Sequence, residues 1–171
     1  MNPQLAALAR ELGLDQAEHE ALRLAFCSAC GERVRHLLEQ ADAVACLNVL
    51  RDFVAGRTDR AAYEQARQDI ARIANAHKGS PSIDGTDHAA VSSTYAVAAA
   101  LAGKVLDAAS YGAYAIVYAY GRYAVNDPSA FEGEFAWQVD TLKALASTFG
   151  VRAFSANPAC ASPTSRVNSS T

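Results

Sequence analysis

A chain of 171 residues with a formal charge of −3 and a pI near 5.8 is short for more than one domain and carries no positive field to hold a phosphate backbone. General nucleic-acid binding is therefore not expected. Hydrophobic residues at 51% against 19% charged supply one core, and because much of that fraction is alanine and leucine the economical architecture is helical.

The first helix starts at Asn2, with Pro3 in a first turn that needs no amide donor, and stops at Gly13. Asp15 as cap and Glu18 three residues on predict a second start, and apolar Leu22, Phe26, Ala29, Cys30, Val34, Leu37 and Leu38 carry that helix to about Gln40. A third runs from Asp42 to Ala55 and closes at Gly56. A fourth, Asp59 to His77, turns Ala62, Ala66, Ile70, Ile73 and Ala74 inward, and Lys78 and Gly79 end it. Residues 79–86, GSPSIDGT, read as the clearest loop.

Helical periodicity returns at Asp87 and persists to Val125, which is long for one helix of a small domain, so a break is expected between Gly103 and Ala108. Its most apolar part, 108–121, falls short of the roughly 20 residues that span a bilayer. Asp127 and Pro128 start a last helix to about residue 148, packing Phe131, Phe135, Val139, Leu142 and Leu145. The reading is an all-α, single-domain bundle of about six helices over 1–154, with 155–171 a disordered tail rich in Ser, Pro and Asn.

Cys27 and Cys30 have half of a zinc-binding spacing, but a second close pair is missing, and they fall mid-helix rather than at the strand-to-helix junction of a redox motif. Cys46, His36 and His77 could complete a site, but His36 projects from a different sector of the helix than Cys30, and packing is the simpler role for the pair; Cys160 sits in the tail. Residues 1–20 lack a basic segment followed by an apolar signal core, so reduced thiols, a cytoplasmic location and no membrane attachment are expected.

His77, Asp84, Asp87 and His88 gather around the loop and could carry acid-base or ligand chemistry, although helix capping explains the same residues. Ser80, Ser82, Ser92 and Ser93 lack the context of a hydrolase nucleophile. SYGAYAIVYAYGRY places Tyr111, Tyr114 and Tyr118 on one helical face, with Tyr120 and Tyr123 in other sectors. Tyrosines so placed suit a core boundary, a pocket rim or a protein interface.

Four segments in order, CSACGERVRHLLEQ, LRDFVAGR, ARQDIARIANAHK and EFAWQVDTLKAL, make the chain resemble a family of bacterial immunity proteins of polymorphic toxin systems, over roughly residues 20–146. The resemblance implies a compact helical cytosolic protein that neutralises a partner toxin by direct binding, without catalysis. It transfers no residue as a site. The expectation is thus a non-enzymatic protein with a cognate toxin as partner and with no catalytic, cofactor-binding or metal-ligating residues assigned. Two other readings stay open: a small helical enzyme or ligand-binding protein using the His77 to His88 region, and an oligomeric structural or interaction protein.

Overall fold

Asn2 opens the first helix: its Oδ1 accepts from the amides of Gln4 at 3.1 Å and Leu5 at 3.2 Å, with Pro3 in the first turn. This helix, α1 (Pro3–Glu11), begins the computed structural model, which describes residues 1–77, 86–121 and 123–152. There follow α2 (Glu20–Arg33), α3 (Ala41–Val54), α4 (Arg60–Ala76), α5 (Thr86–Leu101), α6 (Val105–Ala119) and α7 (Glu132–Thr148). The protein is an all-α, single-domain bundle with seven α-helices and no strand among the described residues. Residues 79–85 of the expected loop and the expected tail at 155–171 lie outside them.

The expected break between α5 and α6 falls at Gly103, whose φ of 68° is open to glycine at little cost. Its amide donates to Ala100 O and that of Lys104 to Ala99 O, both at 3.0 Å, so the orphan carbonyls of α5 are satisfied as the chain reverses. Such a short connection makes α5 and α6 antiparallel neighbours, and they form the most extensive helix pair of the bundle.

Several expected boundaries need correction, among them the end of α6, which stops at Ala119 rather than Val125. Asp15 is exposed and does not cap a helix; Ala17–His19 form a 3-10 turn, and α2 begins only at Glu20. The cause lies in the turn's carbonyls: Arg23 Nη1 donates to Leu14 O at 2.7 Å and Gln16 O at 3.1 Å, drawing the chain close to α2 while Leu12 and Leu14 enter the core. At the other end α2 stops at Arg33, not Gln40, and Arg35–Leu37 tighten into a second 3-10 turn. There Arg35 forks onto Glu32 at 2.7 and 2.9 Å and reaches Asn48 Oδ1 on α3 at 2.6 Å, which bends the chain toward its next helix. In the last helix Asp127 caps as expected, accepting from the Ser129 amide at 2.9 Å. Pro128–Phe131 are 3-10, however, before α7 proper.

Packing is organised around α2, which touches α3, α5, α6 and α7. Besides the expected stripe, Leu24, Ala25, Cys27, Ser28 and Gly31 are buried, so this helix is covered on nearly every side. The closest approach is at Gly31, where a Cβ would stand 2.6 Å from Leu47 Cδ1 of α3. Gly112 on α6 is buried too, but a Cβ there meets only Val34 Cγ1, at an ordinary 3.8 Å.

These two glycines predict opposite responses to the same substitution. Gly31→Ala gains about 1 kcal/mol of helix propensity but meets a fully buried Leu47, and overpacking of about 1–3 kcal/mol leaves a net loss near 1 kcal/mol. Gly112→Ala keeps the propensity gain and stabilises by about 0.5–1 kcal/mol. Urea denaturation of the two variants checks both signs.

Candidate functional site

The sequence offers two chemical constellations, and the described residues assemble neither into a reactive centre. Cys27 and Cys30 are buried as free thiols in the core beside Phe26 and Leu47. Burial pushes the Cys27 thiol up to about 12, against a nearby Arg23 charge that works the other way. Cys30 is raised by burial, then by Cys27 and Glu134; Cys46 is raised by burial, then by Asp69 and Asp42. All three are thus neutral near pH 7, the opposite of what a thiolate ligand or nucleophile requires. Among the described residues no three His, Cys, Asp or Glu side chains come together as a metal-holding group.

The polar cluster falls only partly within the described residues. His77 lies just past α4 with its amide bonded to Ala74 O at 3.2 Å, Asp87 occupies the first turn of α5, and Asp84 is outside the described residues. His88 turns to α6 and stacks on Tyr118, ring centroids 5.1 Å apart. Ser93 is fully buried, its one hydroxyl hydrogen shared between Ala90 O at 2.8 Å and Leu37 O at 3.2 Å.

The tyrosine face is what the fold does assemble. Positions 111, 114 and 118 follow the helical repeat, so these side chains leave α6 on one side, where α5 and the start of α7 add further rings. From His88 a continuous row runs through Tyr118 and Tyr114, 6.1 Å apart, to Phe131 at 5.1 Å, edge to face, and on to Phe135 at 5.7 Å. Tyr95 of α5 stacks on Tyr111 at 5.5 Å. These separations suit offset and edge-to-face contact between aromatic rings.

The row is anchored below and open above. Phe131 is buried with Ala113 and Val117 in a small satellite core, whereas Tyr111 and Tyr114 each keep 40% exposure. Tyr120 and Tyr123, at 76% and 79%, stand out into solvent past the end of α6. Beside Tyr114 a cleft of about 230 Å³ has Ala113, Val125, Phe131 and Phe135 in its walls. Tyr95 and Tyr111 border a second depression of about 260 Å³ floored by Ala71, Ala98 and Ala102.

Sequence reasoning placed the three tyrosines on one face but missed His88, Tyr95 and Phe131 as their partners. The relevant signal was present only as a set of aromatic residues on three separate segments, which periodicity within one segment cannot join. Another feature went unnoticed: Arg33, half-exposed, forks onto the buried Glu134 at 2.6 and 3.3 Å and lies over the Trp137 ring at 5.0 Å. Its bond to Glu134 raises the Arg33 pKa. No helix among the described residues is long and apolar enough to cross a membrane.

The buried thiols yield a direct check. Alkylation at pH 8, mapped by mass spectrometry, should leave Cys27 and Cys30 unmodified until denaturant is added. The ordinary thiol value is 9.0 and Cys27 is held near 12, so its contribution to stability is complete below about pH 9 and falls away as pH rises toward 12. Cys27→Ala should flatten that alkaline decline in urea-unfolding measurements, whatever it does to stability at pH 7.

Compared with family models, curated proteins and solved structures, the chain gives no significant match to any of them.

Proposed function

We propose that this protein is a non-catalytic cytoplasmic binding protein, an immunity protein that captures one cognate toxin and covers the toxin's working surface. The observation that carries the reading is the aromatic row on α5, α6 and the start of α7, whose rings stack on one another yet stay partly open to solvent. Tyrosine is enriched at protein interfaces because it buries a large area with few rotatable bonds and ends in a hydroxyl that can bond across the contact. Stacking fixes the side chains before a partner arrives, which lowers the ordering cost of association.

The class of partner comes from the sequence resemblance, and the aromatic row supplies a surface suited to it. Outside the row, Tyr120 and Tyr123 past the end of α6 are the most exposed tyrosines and would add further contact area to a partner. His88, one of the two histidines that an enzyme reading would use, belongs to this surface as the ring at one end and is engaged in stacking.

The test is capture from the native cells with the full chain as bait, followed by expression of each recovered protein in a host with and without this one. The expected result is a recovered protein that arrests growth alone and is tolerated together with its captor. Tyr111→Ala, Tyr114→Ala and Tyr120→Ala should each weaken binding by about 2 kcal/mol where the side chain is a hot spot, roughly thirtyfold in Kd, and their combination should abolish rescue. Unchanged rescue by the triple variant would remove the row from the interface. Recovery of only the protein itself, with a concentration-dependent dimer in light scattering, would replace the toxin with a second copy.

A further inference from the structure

A separate cavity of about 420 Å³ lies between α1, the turn before α2 and the start of α6. It falls within the range of about 300–1,000 Å³ usual for small-molecule sites. Ala6, Ala9, Leu14, Val105 and Leu106 form an apolar lining, while Arg10, Arg23 and Lys104 bring cations to it from three elements distant in sequence.

Among the described residues, three cations converge on this cavity without a carboxylate partner. Seven other arginines lie within ion-pair distance of a carboxylate, whereas Arg10, Arg23 and Lys104 form no such pair among the described residues. Asp15 and Asp107 also line the cavity, leaving one net positive side-chain charge there. Arg23 is fixed by its bonds to Leu14 O and Gln16 O, and the α5–α6 turn at Gly103, whose φ of 68° favours glycine, lies beside it. The first turn of α6, with no side-chain cap, adds the positive end of its dipole.

We propose that this cavity binds a small amphiphilic monocarboxylate, with its apolar body on Ala6, Leu14, Val105 and Leu106 and its carboxylate toward Arg10, Lys104 and Arg23. The apolar lining disfavours a compact, highly charged anion such as free phosphate, which would bury those surfaces against nothing. The single net charge matches one carboxylate, and the three cations oppose a cationic ligand. The proposal does not rest on the protein-binding reading, although Lys104 and Asp107 border the Tyr95–Tyr111 depression too.

Calorimetric titration of the full chain with decanoate, kept below its micelle concentration, tests it, with decanol and decyltrimethylammonium as head-group controls. Decanoate should bind once per chain and both controls at least about tenfold more weakly, the effect of losing a charge-assisted hydrogen bond. The double variant Arg10→Gln, Lys104→Gln should weaken decanoate by about tenfold or more with unchanged thermal unfolding, because both side chains are exposed; Arg23 is left intact because it holds the turn. Tyr114→Ala should bind decanoate as the parent does. Absence of binding, equal affinity for decanol, indifference to the double variant, or loss in Tyr114→Ala would each overturn the assignment.

Discussion

The passage of α2 through the middle of the bundle is the constraint on which the rest of this structure depends. A helix at a surface buries one stripe, but α2 buries residues on nearly every side, so its central run LAFCSACG carries no charge and several small side chains. The charges are confined to its two ends, where each has work with a different neighbour. Glu20 pairs with Arg60 of α4 at 2.8 Å, Arg23 holds the preceding turn, Arg33 meets Glu134 of α7, and Glu32 reaches α3 through Arg35 and Asn48. Exposed pairs such as Glu20 with Arg60 contribute little individually. Their value is in direction, because they fix where each surrounding helix meets the central one.

A second, smaller polar device sets α7 and, through it, the aromatic row. Gln138 is almost fully buried; its Nε2 donates to Ala109 O on α6 at 2.8 Å, and its Oε1 accepts from Asn2 Nδ2 at 3.1 Å. The same Asn2 nitrogen donates to Phe135 O at 2.9 Å. One amide thus caps α1 while bridging to α7, and its partner amide ties α7 to α6. Among the described residues no buried side-chain nitrogen or oxygen is left without a partner, as a buried network must be if it is to stabilise. Because Phe131 and Phe135 shortly precede Gln138 in the chain, the clamp also helps to set Phe131 against Tyr114, with Phe135 behind it.

Most of the fold was legible because it is written in local chemistry. Asn2 with Pro3, Asp59, Gly56, Gly103 and Asp127 each act within a few residues of themselves, and each marks a boundary where the spacing placed it. The two misplaced limits of α2 have a common origin: Arg23 and Arg35 bend the chain by bonding to groups chosen by tertiary packing, Gln16 O in one case and Asn48 in the other. The same distinction governs the site. The face shared by Tyr111, Tyr114 and Tyr118 follows from helical repeat alone, whereas the stacking of His88, Tyr95 and Phe131 upon it requires three segments to be brought together. CSAC illustrates the converse. Its spacing suggests chemistry, while burial on the central helix makes its thiols packing groups.

The two candidate surfaces share one helix, which raises the question of whether they communicate. The cavity uses the start of α6 through Asp107, the aromatic face begins at Tyr111 about 6 Å further along, and Lys104 and Asp107 border the Tyr95–Tyr111 depression as well as the cavity. Coupling between them through the helix itself would need α6 to have a second resting position that one ligand favours. Its surroundings oppose that. Ala108 and Ala109 pack in the main core with Ala99 and Ala100 of α5, Ala115 packs with Ala96 in a second cluster, and small side chains at such close range leave little room for sliding. Ala109 is also held through its carbonyl by Gln138. A helix fixed on both sides in this way leaves little displacement to pass along it, so coupling between the cavity and the aromatic face would act through the rim residues they share, Lys104 and Asp107, rather than through movement of α6.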